Sequence, residues 1–209
     1  MNEPIGNKLA DKLLVDKVLC GDTQAFGAII KNTENLVAQI VFKMIPNAED
    51  RKDIAQDVYL KAFNKLDGFK FQSKLSTWIG QIAYNTCLSW LEKKKLILPG
   101  DLHEENHQEN ALETLYHRSA NTGGSEGSTS FEAERQISQK ELSAILRIEV
   151  NSLPPVYQTL ITLYHQETMS YDEMAQITGL PEGTIKSYLF RARKLLKENL
   201  LSKYKKEAL

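Results

Sequence analysis

Two stretches of the sequence hold residue types that could do chemistry, and the first matches a zinc-site pattern. His103, Glu104 and His107 satisfy H-E-x-x-H, in which two imidazoles share one helix face and the glutamate is a base beside metal-bound water. Such a site needs a dry cavity, yet the flanking residues are mostly polar or acidic. We interpret the match as coincidence. Because the sequence also has no Gly-rich phosphate loop and no nucleophile elbow, we expect no metal, no cofactor and no enzyme activity.

The second stretch, residues 170–197, has the pattern of a helix-turn-helix. Ser170 and Glu173 form a capping-box pair, and Gly179 predicts the end of a short helix because glycine adopts a positive φ at the least cost. Pro181 suits the start of a second helix, where a missing amide is tolerated. The inward-facing residues of the first helix would be Met174, Ala175 and Ile177. The pattern predicts two helices joined by a tight turn.

The second of these helices has two opposite faces. At ~100° per residue one narrow stripe is apolar: Ile185, Leu189, Ala192 and Leu196. The other face carries basic and polar groups with one aromatic ring: Lys186, Ser187, Phe190, Arg191, Lys194 and Lys197. A face of lysines alone is usually a solvated face, but solvation does not explain Phe190. An exposed ring among cations suits DNA reading, in which it packs on thymine methyl groups while the cations hold phosphates or guanine edges.

The chain around these residues has ordinary globular composition. It has 209 residues, 42% hydrophobic and 25% charged, with a formal net charge of −1. No apolar run approaches the ~18 residues that span a bilayer, and the first residues lack the apolar core of a secretory signal. Cys20 and Cys87 have apolar neighbours, which predicts buried thiols in a reducing compartment. We expect a cytoplasmic protein that does not insert into a membrane.

The neutral average hides an uneven distribution of charge. Residues 1–98 carry 14 basic and 11 acidic groups, residues 99–140 carry 3 and 8, and residues 141–209 carry 9 and 8. The acidic middle includes a Gly/Ser/Thr-rich run that cannot bury enough surface to offset its ordering entropy, so it is predicted to be a flexible linker. Elsewhere the apolar spacing is helical, as with Leu9, Leu13 and Val18. The prediction is an all-α protein with two small helical domains, 1–98 and 141–209, joined by a flexible acidic linker over 99–140.

Residues 153–196 closely resemble region four of bacterial RNA polymerase sigma factors, and within that family they look like the extracytoplasmic-function subfamily. That subfamily keeps only the second and fourth conserved regions, which agrees with the length and the two predicted domains. The resemblance implies that the helix-turn-helix reads the minus-thirty-five promoter element in the major groove. It assigns this reading to Lys186, Ser187, Phe190 and Arg191, on the face that the periodicity selects. It also implies the polymerase β flap as a partner.

A second, separate resemblance covers residues 52–63, which are similar to the family's helix that grips the clamp coiled coil of the polymerase β′ subunit. Asp53, Gln56 and Asp57 lie at i, i+3 and i+4, so they share one polar face. The spacing alone is also that of a capped, solvated helix. The resemblance implies that these three residues bind core polymerase.

Residues 76–95 are similar to the family's helix that meets the minus-ten element, where DNA is melted. The loop before it would accept a flipped base, which needs a stacking surface and polar edges. The residues assigned to minus-ten DNA are Phe71, Gln72, Lys74, Tyr84, Asn85, Lys93, Lys94 and Lys95, the last three on backbone phosphates. Trp78 is predicted to be a core residue, and the role of Trp90 stays open. A frequent Asp-x-x-Arg at the end of this helix is replaced by Ser89 and Glu92, so those two roles are not carried over.

Together these patterns predict a sigma factor that binds core RNA polymerase and promoter DNA and directs melting and initiation, while catalysis stays with the polymerase. An anti-sigma factor is an expected further partner. The alternative is a helix-turn-helix transcription regulator with an N-terminal sensing or dimerisation domain. The second resemblance, over residues 52–95, argues against that alternative. A sensing domain does not need a polymerase-binding helix combined with a basic helix that faces DNA. A zinc hydrolase, the third class, is tested by metal analysis of the purified protein.

Overall fold

The computed structural model describes residues 5–97 and 131–204, with side chains over 9–94 and 141–203. Within these ranges the chain is helical and has no β-strand, which confirms the predicted all-α class. The H-E-x-x-H pattern and residues 99–130 of the predicted linker segment lie outside them. In the described part, no group of His, Cys, Asp and Glu residues could hold a metal ion. No helix in that part is long and apolar enough to span a bilayer.

Four helices form the first half. They are α1 (Ile5–Leu19), α2 (Thr23–Met44), α3 (Ala48–Asn64) and α4 (Leu75–Ile97), with a 3-10 turn at Leu66–Gly68. Asp22 Oδ1 begins α2 by accepting hydrogen bonds from the amides of Gln24 and Ala25 at 2.9 and 3.1 Å, so it satisfies donors that a helix start leaves unpaired. Asn47 caps α3 in the same way. Helix α2 packs against α1, α3 and α4 and is the centre of this half.

Four helices also form the second half. They are α5 (Phe131–Asn151), α6 (Pro155–His165), α7 (Tyr171–Thr178) and α8 (Glu182–Tyr204). Helix α5 begins inside the segment 99–140 that the sequence predicts as linker, because strong helix formers such as Glu, Ala, Gln and Leu dominate residues 132–147. Helix α8 packs on α5, α6 and α7. The predicted helix-turn-helix is the pair α7 and α8.

The two halves pack against each other. Helix α2 contacts α6, and helix α4 contacts α7. The eight residues 156–163 of α6 are all buried, which an amphipathic surface helix would not show. Because α7 is the helix that contacts α4, the helix-turn-helix lies against the first half through α7.

Burial in and after α1 departs from the sequence expectation at Cys20. Cys87 is buried as predicted, but the prediction for Cys20 is wrong, because that residue follows the last turn of α1 and is exposed. In the periodic set of α1, Val18 is buried, whereas Leu9 and Leu13 are exposed. Apolar spacing correctly indicated a helix there, but it did not identify which of its residues are covered.

Candidate nucleic-acid interface

The helix-turn-helix is built by short-range interactions. Ser170 Oγ accepts from the Glu173 amide at 3.2 Å, and Glu173 Oε2 accepts from the Ser170 amide at 2.9 Å, so the predicted capping box is present. Gly179 ends α7 with a φ of +73°, as glycine permits. Thr178 Oγ1 donates to the carbonyl of Met174 at 2.7 Å and closes the last turn. These contacts fix where α7 begins and ends.

Helix α8 buries the predicted apolar stripe. Ile185, Leu189 and Ala192 are almost fully buried, and Leu196 is partly buried. The opposite face is therefore held toward solvent by packing rather than by its own polarity. The phase of the helix agrees with the periodicity in the sequence.

The six residues predicted to face DNA lie together on the exposed side of α8. Phe190 is 69% exposed, although it is a large apolar side chain. Lys186 and Lys194 form ion pairs with Glu182 and Glu198 at 3.1 and 3.9 Å. Exposed i,i+4 pairs of this kind are weak, so both lysines can exchange these partners for phosphate groups. This face therefore combines cations with an aromatic ring, and packing in the core does not explain why the ring is there.

An aromatic group beside α8 was missed at the level of sequence. Tyr164 and Tyr171 stack with ring centroids 5.4 Å apart, with Arg193 5.2 Å above the first ring and Lys186 5.1 Å above the second. Burial lowers the pKa of the His165 imidazole, and the positive charge of Arg193 lowers it further. The imidazole is therefore neutral near pH 7. Arg193 could have been found from sequence, because it follows Lys186 by seven residues and shares its helix face. The tyrosines come together only through the fold.

The predicted polymerase-binding residues lie on the open side of α3. Asp53, Gln56 and Asp57 are exposed, while Ile54 and Val58 face the core. One turn further along this side, Leu60 is 61% exposed. Phe63, whose ring meets that of Phe26 edge-to-face at 5.0 Å, is 48% exposed. The polar face thus continues into an uncovered apolar one, which is typical of a protein-binding surface.

The loop before α4 is organised by aromatic packing. Phe69 is buried, with its ring centroid 4.7 Å from that of Phe71 and 5.1 Å from that of Trp78. Trp78 packs against the core, which agrees with its predicted role. Phe71 is partly buried and has a φ of +54°, an uncommon conformation for a bulky residue. Gln72 beside it is exposed. A partly buried aromatic ring beside an exposed amide is the combination expected of a pocket that binds an unstacked nucleobase.

Lys74 and Tyr84, both predicted to face DNA, lie against the second half of the chain instead. Lys74 Nζ is 2.7 Å from Glu173 Oε1. Tyr84 is only 3% exposed, and its burial, with Tyr188 and Cys87 nearby, raises the pKa of its hydroxyl to about 12. The sequence expectation of an exposed ring therefore does not hold in this arrangement. The physical reason is that α7 and α8 approach α4, which no local pattern predicts.

The remaining predicted positions lie toward the end of α4. Asn85 and Lys93 are exposed. Lys94 Nζ is 3.6 Å from Asp50 and 4.4 Å from the ring centroid of Trp90. The Trp90 ring therefore makes a cation–π contact with this lysine. Lys95 belongs to the helix, but its side chain lies outside the described residues.

Comparisons with known proteins agree with both halves of this description. The family model "Sigma-70 region 2" matches residues 29–97, and "Sigma-70, region 4" matches residues 138–196. The chain is 30% identical to the ECF RNA polymerase sigma-E factor of Escherichia coli K12 over 192 residues, which cover 92% of this chain and 95% of that protein. It is 28% identical to the ECF RNA polymerase sigma factor SigW of Bacillus subtilis over 197 residues, covering 90% and 96% of the two chains.

Solved structures give the same fold. CnrH, in complex with the cytosolic domain of CnrY, matches with a TM-score of 0.58 and 18% identity over 93% of this chain and 99% of that one. The sigma factor RpoE of Bartonella quintana, in complex with the anti-sigma factor NepR, matches with a TM-score of 0.57 and 21% identity over 87% and 99%. At these identities the structural likeness concerns the fold alone.

Proposed function

This chain belongs to the extracytoplasmic-function (ECF) family of RNA polymerase sigma factors, and we propose which of its residues carry each part of that function. In this proposal residues 1–98 bind core polymerase and the minus-ten element, and residues 141–209 bind the minus-thirty-five element. The protein selects promoters and helps to open them, while the polymerase supplies the catalysis. It would thus act in the cytoplasm and carry no enzyme activity of its own.

The exposed face of α8 is proposed to read the minus-thirty-five element. The single observation that carries this assignment is Phe190, which is 69% exposed between Lys186 and Arg191 on a face that packing holds toward solvent. In the major groove an apolar ring can contact thymine methyl groups, and Lys or Arg can take guanine edges. Ser187, Lys194 and Lys197 would complete the contact, with the two lysines on phosphates.

The loop and the exposed side of α4 are proposed to bind melted minus-ten DNA. Phe71 and Gln72 offer a ring and an amide to an unstacked base. Lys74, Tyr84 and Asn85 would follow along α4, and Lys93, Lys94 and Lys95 would hold the backbone. Lys74 and Tyr84 can reach DNA only when the second half of the chain moves away from α4.

The exposed side of α3 is proposed to bind the clamp coiled coil of the polymerase β′ subunit. Asp53, Gln56 and Asp57 supply acceptors and charge, and Leu60 with Phe63 supplies apolar area beside them. A stable protein contact commonly has such an apolar centre with a polar rim. The β flap is the second proposed polymerase contact.

An anti-sigma factor is a further proposed partner. RpoE of Bartonella quintana was solved with the anti-sigma factor NepR, and a protein with the same fold is expected to be controlled in a similar way. Capture of such a partner and its release by the inducing signal would establish this point.

Reconstituted transcription tests the proposed function. Purified chain is added to bacterial core polymerase on fragmented genomic DNA, and the 5′ ends of the transcripts are sequenced. The expected result is a set of start sites that share one pair of upstream elements and disappear when the chain is omitted. A helix-turn-helix regulator would instead produce no specific start sites, because core polymerase alone does not select promoters. That outcome would refute the proposal.

A further inference from the structure

Helix α4 begins at a residue whose side chain cannot cap it. The carbonyl of Lys74 accepts the first hydrogen bond of the helix, from the amide of Trp78 at 3.1 Å, so Leu75 is the first helical residue. The Lys74 side chain ends in a donor and cannot accept from the unpaired amides of the first turn. That turn also has no acidic residue to interact with the helix dipole. The position that ordinarily caps a helix therefore supplies no acceptor here.

Asp11 of α1 supplies an acceptor instead. Its Oδ2 accepts a hydrogen bond from the amide of Leu75 at 3.0 Å, across 64 positions of sequence. Leu75 is buried, and a backbone amide left unpaired in such a place is costly. The carboxylate also brings a negative charge to the positive end of α4. Asp11 thus caps α4 from a different helix.

Helix α1 is anchored on the side that carries Asp11. Val15, one turn later on the same helix face, is 1% exposed, and Val18 is 8% exposed. Helix α1 packs on α2. Asp16, by contrast, lies on the open side of α1. The Asp11 carboxylate is therefore held in place by the core of the first half.

The loop before α4 is attached to α1 at both ends. Helix α1 contacts the 3-10 turn Leu66–Gly68, where the loop begins, and Asp11 holds the amide of Leu75, where it ends. Between these points Phe71 has a φ of +54°, which a bulky residue keeps only where its surroundings impose it. Its ring centroid is 4.7 Å from that of buried Phe69. Attachment of both ends to one helix fixes the span of the loop and thus the position of the Phe71 ring.

We propose that Asp11 is a positioning residue for the minus-ten element, because by capping α4 it holds the loop that presents Phe71 and Gln72 to an unstacked base. Asp11 itself touches no DNA. The role of the loop rests on the proposed function, whereas the hydrogen bond from Leu75 to Asp11 does not. A loop that is already held in its binding conformation discriminates better between bases, because it need not be ordered when the base arrives.

Discrimination at the two promoter elements separates positioning from general stability. Holoenzyme is assayed on a promoter found by the reconstituted transcription and on copies altered in the minus-ten or in the minus-thirty-five element. For Asp11→Ala we expect discrimination at the minus-ten element to fall about three- to ten-fold, as for the loss of a helix cap. Discrimination at the minus-thirty-five element and affinity for core polymerase should not change, because Asp11 lies on neither α8 nor α3. An equal fall at both elements would overturn the proposal.

Two further variants are matched to Asp11→Ala. Asp11→Asn keeps an oxygen that can accept from the amide of Leu75 but removes the charge, so it should recover most of the lost discrimination. Asp16→Ala removes a charge from the exposed side of the same helix and should discriminate as the wild type does. No recovery in Asp11→Asn, or an equal fall in Asp16→Ala, would show that the hydrogen bond does not position the loop.

Hydrogen exchange tests the cap without polymerase or DNA. In the free full chain, amides in a peptide covering residues 69–78 should exchange about three- to ten-fold faster in Asp11→Ala than in the wild type, because the first turn of α4 opens more often. A peptide covering residues 182–190 of α8 should exchange at the same rate in both proteins and so shows that the fold is intact. Unchanged exchange over residues 69–78 would overturn the assigned cap.

The two proposals can fail separately. If the chain drives no promoter-specific transcription, the proposed function fails and the role of Asp11 in promoter reading fails with it, whereas hydrogen exchange still tests the cap. If transcription is specific but Asp11→Ala keeps full discrimination at the minus-ten element, only this inference fails.

Discussion

Gly80 in α4 and Ile177 in α7 touch across the boundary between the two halves of the chain, with Ile177 Cδ1 3.1 Å from where a Cβ on Gly80 would lie. In an exposed helix Gly→Ala is worth roughly 0.5–1 kcal/mol of stability. Here we expect Gly80→Ala to give a smaller gain in stability, because the new methyl group would press against the side chain of Ile177.

A double-mutant cycle isolates this contact. Ile177→Val removes Cδ1 and so makes room for the methyl group on residue 80. Gly80→Ala should therefore be more favourable in the Ile177→Val background than in the wild type, with a coupling of about 0.5–1 kcal/mol in the free energy of unfolding. Urea unfolding of the four proteins measures it. Additive effects would show that the two residues do not meet.

Phe190→Ala tests base reading by α8. It should reduce discrimination between promoters that differ in the minus-thirty-five element by ~1–3 kcal/mol, the range for a good base contact. The melting temperature should hardly move, because the ring is exposed. The control is Leu189→Ala on the buried side of the helix, which should cost about 2–5 kcal/mol of stability. A large loss of stability in Phe190→Ala would place the ring in the core and require a different reading face.

Lys194→Ala combined with Lys197→Ala tests phosphate binding. The double variant should weaken binding to all promoters alike. The slope of log affinity against log salt should become shallower by about one for each phosphate that the protein no longer neutralises. Holoenzyme binding to matched and altered promoters at several salt concentrations gives both quantities. A sequence-dependent weakening with an unchanged slope would assign these lysines to bases.

The two cysteines should behave differently toward thiol reagents. Burial raises the pKa of the Cys87 thiol to about 12, against a partial lowering by Lys61. Folded protein at pH 8 should therefore react at one thiol, the exposed Cys20, and unfolded protein at two. Rapid labelling of both thiols in the folded protein would contradict the burial of Cys87.

The same burial has a consequence at high pH. A thiol whose folded pKa lies above its unfolded value stabilises the fold below the unfolded pKa, near 9, and this stability is lost as pH rises toward the folded pKa. Tyr84 acts in the same direction, since its pKa is also raised to about 12. The free energy of unfolding should fall from pH 9 upward, and less steeply in Cys87→Ala than in the wild type.

The parts of the fold that could be predicted from sequence are those set by neighbours along the chain. The capping box of Ser170 and Glu173, the left-handed Gly179 and the buried stripe of α8 follow from contacts within a few residues. The polar face of Asp53, Gln56 and Asp57 likewise follows from helix geometry alone.

What could not be predicted depends on residues distant in sequence. Lys74 and Glu173 are 99 positions apart, and nothing near either residue indicates the other. The same holds for Tyr84, which was expected to be an exposed ring but which α7 and α8 cover. Helical periodicity shows which residues share a face, but it does not show what packs on that face.

A matched pair of double variants tests whether α3 binds core polymerase. Asp53→Ala with Asp57→Ala removes two charges from the proposed polymerase surface, and Asp16→Ala with Glu34→Ala removes two from exposed positions on α1 and α2. Helix content by circular dichroism should stay the same in both. In a titration of core polymerase with fluorescently labelled chain, we expect tight binding by the wild type and by the control pair, and at least ten-fold weaker binding, about 1.4 kcal/mol, by the α3 pair. Equal affinity of all three proteins for core polymerase, or binding by none of them, would contradict it.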